Sequence, residues 1–260
     1  MRYITFFFSL ITLATMFPSQ AQVYDLFKAE VHKQGSDKLN YRFLAPEKVE
    51  ADQTYPLLIF LHGAGERGKD NRRQLVHVMP QFTTVARRQQ YPCYIIAPQC
   101  PEKVGWGDGE WHGARDGGYT VADEPSIRQQ MIMAVVKEKM KEFPIDESRI
   151  YVAGLSMGGA GTWSMMAHYP DVFAAAVPIC GAGDVETASK IKDIPTWIFH
   201  GTDDIVVPAT FSVAMQAALQ AVGGTPILTL FETVNHDSWV NAFDENPFVY
   251  DWLFSQKKSD

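Results

Sequence analysis

The feature that most constrains this 260-residue chain is an apolar run that leads directly into a serine flanked by glycines. Residues 149–153 are typical of a buried β-strand, because β-branched and aromatic side chains follow the turn-forming residues 144–148. Gly154-Leu155-Ser156-Met157-Gly158 comes next, and residues 161–169 have the composition of a helix. The segment therefore predicts a sharp strand-to-helix turn that projects the Ser156 hydroxyl, as in a nucleophile elbow.

Continuous apolar runs elsewhere in the chain indicate strands that are covered on both faces of a sheet. Helical patterns separate most of these runs, so strands and helices alternate along the sequence. This alternation predicts an α/β fold, a doubly wound and mostly parallel sheet flanked by helices, with its ligand site at the carboxyl ends of the strands. The predicted strands are residues 41–44, 57–61, 94–97, 150–153, 175–179, 197–199 and 227–231. The predicted helices are residues 75–82, 126–143, a segment after Ser156, 209–222 and 247–256.

The first 21 residues have the pattern of a signal peptide. Arg2 precedes the apolar run 4–17, and Ser19-Gln20-Ala21 supplies the small residues of a cleavage site, which predicts cleavage after Ala21. An uncleaved membrane anchor is the alternative. No later segment is continuously apolar for about 20 residues, so we expect no stable membrane association after cleavage. The prediction is a periplasmic or secreted protein whose residues 22–260 form a single catalytic domain.

Composition and cysteine positions limit the possible partners and cofactors. The net charge of −7 and the lack of a basic cluster argue against a nucleic-acid partner. Cys93 and Cys100 bracket a predicted strand, and seven extended residues exceed the reach of a disulfide. We expect at least one free, buried thiol. The spacing of cysteines and histidines suggests no metal site, and no cofactor is implied.

A serine nucleophile requires a base, because free serine is almost fully protonated at neutral pH. Among the seven histidines, chain order and predicted position favour His236, which lies in a loop after the last predicted strand. A loop histidine with a purely structural role is the alternative. Ser156 and His236 are thus the predicted nucleophile and base.

The predicted acid lies between these two residues in the chain. The turn 200–208 follows a predicted strand and contains both Asp203 and Asp204. Chemistry alone leaves the two aspartates equal, and Asp184 is a more distant candidate.

Two backbone N–H groups are also needed to stabilise an oxyanion. The N–H of Met157, the residue after the nucleophile, is one candidate. The second is expected from residues 62–68, His-Gly-Ala-Gly-Glu-Arg-Gly, after the predicted strand 57–61. A phosphate-binding loop is the competing interpretation, but the glycines lack the spacing of either common phosphate motif.

Taken together, these motifs resemble the α/β-hydrolase superfamily across nearly the whole chain after residue 21. The segments 62–68, Ala97-Pro98-Gln99, 154–159 and His236-Asp237-Ser238-Trp239 are similar to the phospholipase/carboxylesterase and polyhydroxybutyrate-depolymerase/feruloyl-esterase groups. The resemblance implies that Asp204 is the triad acid and that Ala64 is the second oxyanion donor. It also implies a serine carboxylic-ester hydrolase that uses no cofactor.

The segment 101–124 is predicted to line the substrate pocket, although it carries no recognisable family motif. It is longer than an ordinary connection and contains Trp106 and Trp111, which could stack on a sugar or a phenolic acyl group. Trp239, close to His236, is a third candidate for substrate binding. The alternative is a loop that its own tryptophans hold in place.

The sequence thus predicts an exported serine carboxylesterase that acts on a small-molecule or oligosaccharide ester, with acetyl or feruloyl esters of plant polysaccharide as the expected substrates. A serine peptidase of the same fold and a non-catalytic carbohydrate-binding protein on a hydrolase scaffold are the alternatives. The sequence makes no prediction of oligomeric state.

Overall fold

The computed structural model describes residues 19–113 and 118–258. The predicted signal peptide lies outside these ranges except for Ser19, Gln20 and Ala21, which are exposed at the start of a helix. Within the described ranges, no helix has the length and apolarity needed to cross a membrane.

An eight-stranded sheet forms the centre of the molecule, in the spatial order β1-β2-β4-β3-β7-β8-β9-β10. Strand β2 pairs antiparallel with both of its neighbours, and all the other pairs are parallel. The remaining two strands form a separate hairpin. The strands are β1 (Lys28–Gln34), β2 (Asp37–Leu44), β3 (Tyr55–Leu61), β4 (Tyr94–Gln99), β5 (Glu110–Gly113), β6 (Gly118–Thr120), β7 (Ile145–Leu155), β8 (Ala175–Ile179), β9 (Trp197–Gly201) and β10 (Ile227–Phe231).

Helices cover both faces of the sheet, as the continuous apolar strands predicted. In β3, Leu57, Ile59 and Leu61 pack into the core on one face, while Leu58 and Phe60 pack into the core on the other. The α/β prediction is therefore confirmed. The helices are α1 (Gln20–Leu26), α2 (Val85–Gln90), α3 (Ile127–Glu142), α4 (Met157–His168), α5 (Ala188–Ile191), α6 (Thr210–Ala221) and α7 (Phe248–Ser255).

The strand order determines where a site can form. Strands β3 and β7 are neighbours, but the chain leaves β3 towards β4 on one side and leaves β7 towards β8 on the other. The connections after these strands separate, which opens a crevice at their carboxyl ends. The predicted oxyanion loop follows β3 and the predicted nucleophile follows β7, so both lie at this crevice.

Some local predictions were wrong. Residues 75–82 do not form a continuous helix; two 3-10 turns, Arg73–Leu75 and Met79–Thr83, occupy the region. Pro80 provides no backbone N–H, and the φ of Val78 is +61°, so an α-helix cannot continue through them. Strand β1 was missed because it lies at the sheet edge and no residue in it is buried.

Candidate active site

Ser156 lies on a strained turn between β7 and α4. Its backbone φ of 54° and ψ of −117° lie outside the common regions, and its N–H donates to the Ile179 carbonyl at 2.9 Å. The turn is so tight that a Cβ on residue 158 would collide with the carbonyl oxygen of Leu61, which leaves room only for glycine. Glycine at 158 therefore lets α4 begin directly against β3, and the turn presents the Ser156 side chain at the crevice.

Three side chains from the ends of three strands form a continuous hydrogen-bonded chain. Ser156 Oγ lies 2.8 Å from His236 Nε2, and His236 Nδ1 lies 2.6 Å from Asp204 Oδ2. The Asp204 carboxylate is buried, whereas the His236 ring is about one-fifth exposed. This geometry aligns a hydroxyl, an imidazole and a carboxylate in the order that proton transfer from the serine requires.

Backbone and side-chain donors hold the Asp204 carboxylate in place. Oδ1 accepts hydrogen bonds from the N–H groups of Val206 and Val207 at 2.8 and 2.9 Å. Asp203 is exposed and accepts from the hydroxyl of its neighbour Thr202. Of the two aspartates that the sequence left equal, only Asp204 contacts His236.

The more distant candidate, Asp184, has a different role in the structure. It caps the short 3-10 helix Val185–Thr187 and accepts the backbone N–H of Val121 at 2.9 Å. Its carboxylate therefore holds the segment 101–124 rather than the imidazole of His236.

A second histidine, which the sequence did not suggest for the site, also contacts Asp204. His200 is fully buried, and its Nε2 lies 2.7 Å from the Val207 carbonyl and 3.2 Å from Asp204 Oδ2. Its Nδ1 lies 2.7 Å from the Ser212 hydroxyl. Burial lowers the pKa of His200, so the ring is neutral, donates from Nε2 and accepts from Ser212. The position of His200 at the end of β9, four residues before Asp204, was the available signal.

The predicted oxyanion donors begin two helices at the crevice. Met157 is the first residue of α4, and Ala64 is the first residue of the 3-10 helix Ala64–Glu66. The N–H of a first helical residue has no acceptor within its own helix. A Cβ on Gly63 would lie 3.6 Å from Ser156 Cβ, so the loop after β3 packs directly against the serine.

His62 supports this loop from beneath. Its Nδ1–H donates to the Gly63 carbonyl at 2.6 Å, and its Nε2 accepts the Cys100 N–H at 2.9 Å. Burial lowers the pKa of His62 to about 4, which keeps the ring neutral. The carbonyl of His62 accepts a hydrogen bond from the indole N–H of Trp106 at 3.0 Å. This bond connects the loop after β3 to the segment 101–124.

A cavity of about 390 Å³ opens beside Ser156. Trp106 forms part of its wall while remaining 1% exposed, so it both lines the cavity and anchors its own segment. Trp111 lies on the β5–β6 hairpin, is 50% exposed and packs edge-on against Phe211 of α6. Residues 114–117 of this hairpin lie outside the described ranges. The lining residues are Arg67, Gly105, Trp106, Gly107, Gly109, Trp111, Tyr119, Ser156, Met157, Ala160, Gly161, Ala182, Val206 and Val207.

Trp239 does not belong to this lining. Its ring packs edge-on against His236, with 5.8 Å between ring centroids, and also contacts His77 at 5.2 Å. The contact with the imidazole supports the loop that carries His236. Trp239 therefore lies against His236, its neighbour in the sequence, and not in the wall of the cavity.

The structure also brings together three groups that could ligate a metal. Cys180 Sγ, an Asp204 oxygen and a His236 nitrogen lie within 4.8 Å of one another, although their spacing in the sequence suggested no site. The His236 Nδ1 to Asp204 hydrogen bond already uses two of these atoms. Burial raises the pKa of the Cys180 thiol to about 12, so the thiolate that a metal prefers is scarce at neutral pH.

Comparison with known proteins places this geometry in a family. A crystal structure of a thermostable esterase is 36% identical, with a TM-score of 0.81 over 91% of this chain and 64% of that chain. A CE1 ferulic acid esterase from Anaeromyces mucronatus shares the fold, with 13% identity and a TM-score of 0.64 over 88% of this chain and 90% of that chain.

Among curated sequences, a bifunctional acetylxylan esterase/xylanase from Neocallimastix patriciarum is 35% identical over 79 residues. That match covers 30% of this chain and 12% of the relative, so the chain spans a small part of that protein's length. The family model described as Phospholipase/Carboxylesterase matches residues 46–247, which include the loop after β3, Ser156, Asp204 and His236. The chain therefore has the α/β-hydrolase fold and belongs to the phospholipase/carboxylesterase family.

Proposed function

We propose that this chain is an exported serine carboxylic-ester hydrolase that works through a Ser156–His236–Asp204 triad. The observation that carries the proposal is the unbroken chain of hydrogen bonds from the Ser156 hydroxyl through His236 to the buried Asp204. Membership of the phospholipase/carboxylesterase family supports the ester as the bond that is cleaved.

In the first half of the reaction, Ser156 Oγ attacks the acyl carbon and its proton passes to His236 Nε2. The Asp204 carboxylate stabilises the imidazolium that forms, and the N–H groups of Met157 and Ala64 donate to the oxyanion. The C–O bond to the alcohol then breaks, and His236 returns the proton to the leaving oxygen. The product of this half is an acyl ester on Ser156.

In the second half, water repeats the same steps on the acyl-enzyme. His236 accepts a proton from the water as its oxygen attacks the acyl carbon, and the proton returns to Ser156 Oγ when the acid leaves. No cofactor is required by either half of the cycle.

We further propose that the acyl group is small or aromatic, as in acetyl or feruloyl esters of plant polysaccharide. A cavity of about 390 Å³ with Trp106, Trp111 and Tyr119 in its lining has room for one phenolic ring and provides aromatic faces for it. The exposed position of Trp111 at the rim suits an attached sugar chain. The named activities of similar proteins, acetylxylan esterase and ferulic acid esterase, agree with this choice.

Export is part of the proposal. Residues 19–22 are exposed, and Val23 is the first buried residue of the described chain, so cleavage after Ala21 would remove no described core residue. N-terminal sequencing of the protein recovered from outside the cytoplasm should begin at Gln22.

Hydrolysis of a small ester panel tests the activity. The panel consists of 4-nitrophenyl acetate, 4-nitrophenyl butyrate, methyl ferulate and acetylated xylan, with a peptide anilide as the competing substrate. We expect turnover of esters that Ser156→Ala abolishes, and the ranking of the panel measures the acyl preference. Cleavage of the anilide without cleavage of any ester would instead support a peptidase.

A further inference from the structure

The described lining of the cavity beside Ser156 contains one charged side chain. Of the described residues that line it, Arg67 alone carries a charge, and the others are aromatic, aliphatic, glycine or hydroxyl-bearing residues. Arg67 follows the 3-10 helix that begins with Ala64, so the element that supplies the proposed oxyanion donor also supplies this cation. In a mostly apolar pocket lining, a single charged group of this kind orients the ligand and provides specificity.

The carboxylates nearest to Arg67 in the sequence contact other side chains. Glu66 lies 3.6 Å from His77, and Asp70 lies 3.2 Å from Arg73. Asp108 pairs with Arg128. Within the described ranges, Arg67 forms no ion pair of its own.

Among the described residues, the side chain that contacts the Arg67 guanidinium is a thiol, that of Cys100, rather than a carboxylate. The Nε of Arg67 is buried and has no hydrogen-bond partner among the described residues. The Cys100 thiol lies next to it, and burial raises the pKa of that thiol to about 11 in spite of the arginine, so the thiol is neutral at pH 7. Arg67 is therefore a half-buried cation that lines the cavity beside Ser156 and forms no salt bridge with any residue in the ranges 19–113 and 118–258.

A planar guanidinium is best matched by a carboxylate, which can accept two parallel N–H donors. The interaction is stronger in a partly desolvated cavity than at the surface. We propose that Arg67 binds a carboxylate on the substrate and makes the enzyme selective for esters that carry a free carboxylate near the scissile bond. This inference rests on the proposed esterase function and names its substrate class.

The carboxylate can belong to either half of the ester. On the acyl side, it is the second carboxyl group of a dicarboxylic half-ester; on the alcohol side, it belongs to an acidic alcohol such as a sugar acid or a hydroxybenzoate. Both sources present the same group to Arg67. Two matched substrate pairs distinguish them, 4-nitrophenyl hydrogen glutarate against 4-nitrophenyl pentanoate and 4-acetoxybenzoate against its methyl ester.

The test compares kcat/KM for both pairs in the wild type, Arg67→Gln and Arg67→Lys. We expect the wild type to prefer the carboxylate member of one pair by about 10-fold or more. Arg67→Gln should lose about 10- to 100-fold on that member, mainly through KM, and change its neutral match by less than about 2-fold. Arg67→Lys should retain part of the preference, since it keeps the charge without the planar fork.

Arg72→Gln is the matched control, because it removes an exposed positive charge from the same region without altering the cavity lining. It should leave both ratios unchanged. Equal losses on neutral and carboxylate esters in Arg67→Gln would overturn the inference and indicate a role in the loop or at the oxyanion. A wild type without preference in either pair would also overturn it, whereas Ser156-dependent cleavage of the neutral esters tests the proposed function separately.

Discussion

Among single residues, Asp204 is the charged group of the site whose burial most needs compensating hydrogen bonds. It is buried, accepts two backbone N–H bonds on one oxygen, and faces both His236 and His200 with the other. These contacts fix its orientation and compensate for the burial of its charge. The neighbouring Asp203 has none of them and is exposed.

This difference predicts that substitutions at the two adjacent aspartates change kcat to very different extents. Asp204→Asn should lower kcat by about 10⁴-fold, because the amide cannot stabilise the imidazolium of His236 or hold its tautomer. Asp203→Asn should change kcat by less than about 2-fold. Steady-state hydrolysis of 4-nitrophenyl acetate measures both variants, and a large loss in Asp203→Asn with an active Asp204→Asn would contradict the proposed triad.

His62 predicts how stability depends on pH. Its pKa is about 4 in the folded protein and about 6.5 in an unfolded chain, so the unfolded state binds more protons between these values. The contribution is fully present above pH 6.5 and is lost as the pH falls. Between pH 7 and pH 5, this residue alone should lower the free energy of unfolding by about 2 kcal/mol. The lowered pKa of His200 acts in the same direction.

Urea denaturation at pH 7, 6 and 5 measures this dependence. The matched variant His62→Gln retains hydrogen-bonding capacity but cannot titrate, so its stability should fall less over the same range. An equal pH dependence in the variant and the wild type would show that His62 does not titrate on unfolding.

The sequence suggested Ser156 and His236 because each lies in a recognisable turn after an apolar strand, whereas only the family resemblance favoured Asp204 over Asp203. Their catalytic roles stay predictions. The sequence did not predict that His200 contacts Asp204 or that Arg67 lines the cavity, although both residues lie in quoted motifs, 200–208 and 62–68. The contact of His200 with Asp204 depends on the path of the chain from 204 to 207, and the position of Arg67 in the cavity lining depends on how the loop after β3 folds. Neither of these positions can be read from the spacing of residues within one segment.

At the scale of elements, the approach of α4 to β3 determines the geometry of the elbow. A Cβ at Gly158 would collide with the backbone oxygen of Leu61, which cannot move without shifting the strand. The same close approach brings the loop after β3 against Ser156, next to the start of α4 at Met157. The glycine is therefore required by packing between elements rather than by its own backbone dihedral angles.

Gly158→Ala should lower the free energy of unfolding by about 3 kcal/mol or more. For a chain of this length, that corresponds to a decrease in Tm of about 6 to 12 °C in thermal denaturation. Gly65→Ala is the control, since a Cβ there meets nothing within 4 Å, and its Tm should change by less than about 2 °C. A Gly158→Ala variant as stable as the wild type would mean that α4 does not lie this close to β3.

Strands with continuous apolar runs were predictable because burial on both faces leaves a clear mark in the sequence, as in β3, where every residue is buried. Elements with one solvated face were harder to predict. The edge strand β1 carries charged residues, and its one valine, Val31, is exposed. The β5–β6 hairpin lies in a glycine-rich segment with an exposed tryptophan. The packing that orders these elements comes from distant parts of the chain.

At the scale of the whole molecule, the sheet gathers the site from widely separated segments. The ends of β3, β7, β9 and β10 supply the oxyanion loop, the serine, the aspartate and the histidine in turn. Because these strands run parallel, their carboxyl ends meet at one edge of the sheet, which is why the strand pattern in the sequence predicts a ligand site there. The contacts that assemble the site are therefore long-range and depend on the complete fold.

The intact fold also protects the three cysteines. Cys93, Cys100 and Cys180 are all free and buried, which confirms the expectation of a buried thiol. A thiol reagent should therefore label none of them in the native protein within minutes and all three after denaturation in guanidinium. A reducing agent should leave the Tm unchanged, and a decrease in Tm on reduction would contradict the absence of a disulfide among them.

The proposed mechanism requires a covalent intermediate on Ser156, which active-site labelling can detect. The folded protein is treated with diethyl 4-nitrophenyl phosphate, and the adduct is located by peptide mass spectrometry. We predict one diethylphosphoryl group per chain, attached to Ser156, with no labelling of Ser156→Ala and much slower labelling of His236→Gln. A protein that hydrolyses esters while Ser156 stays unlabelled, or that is labelled at another residue, would contradict the proposed mechanism.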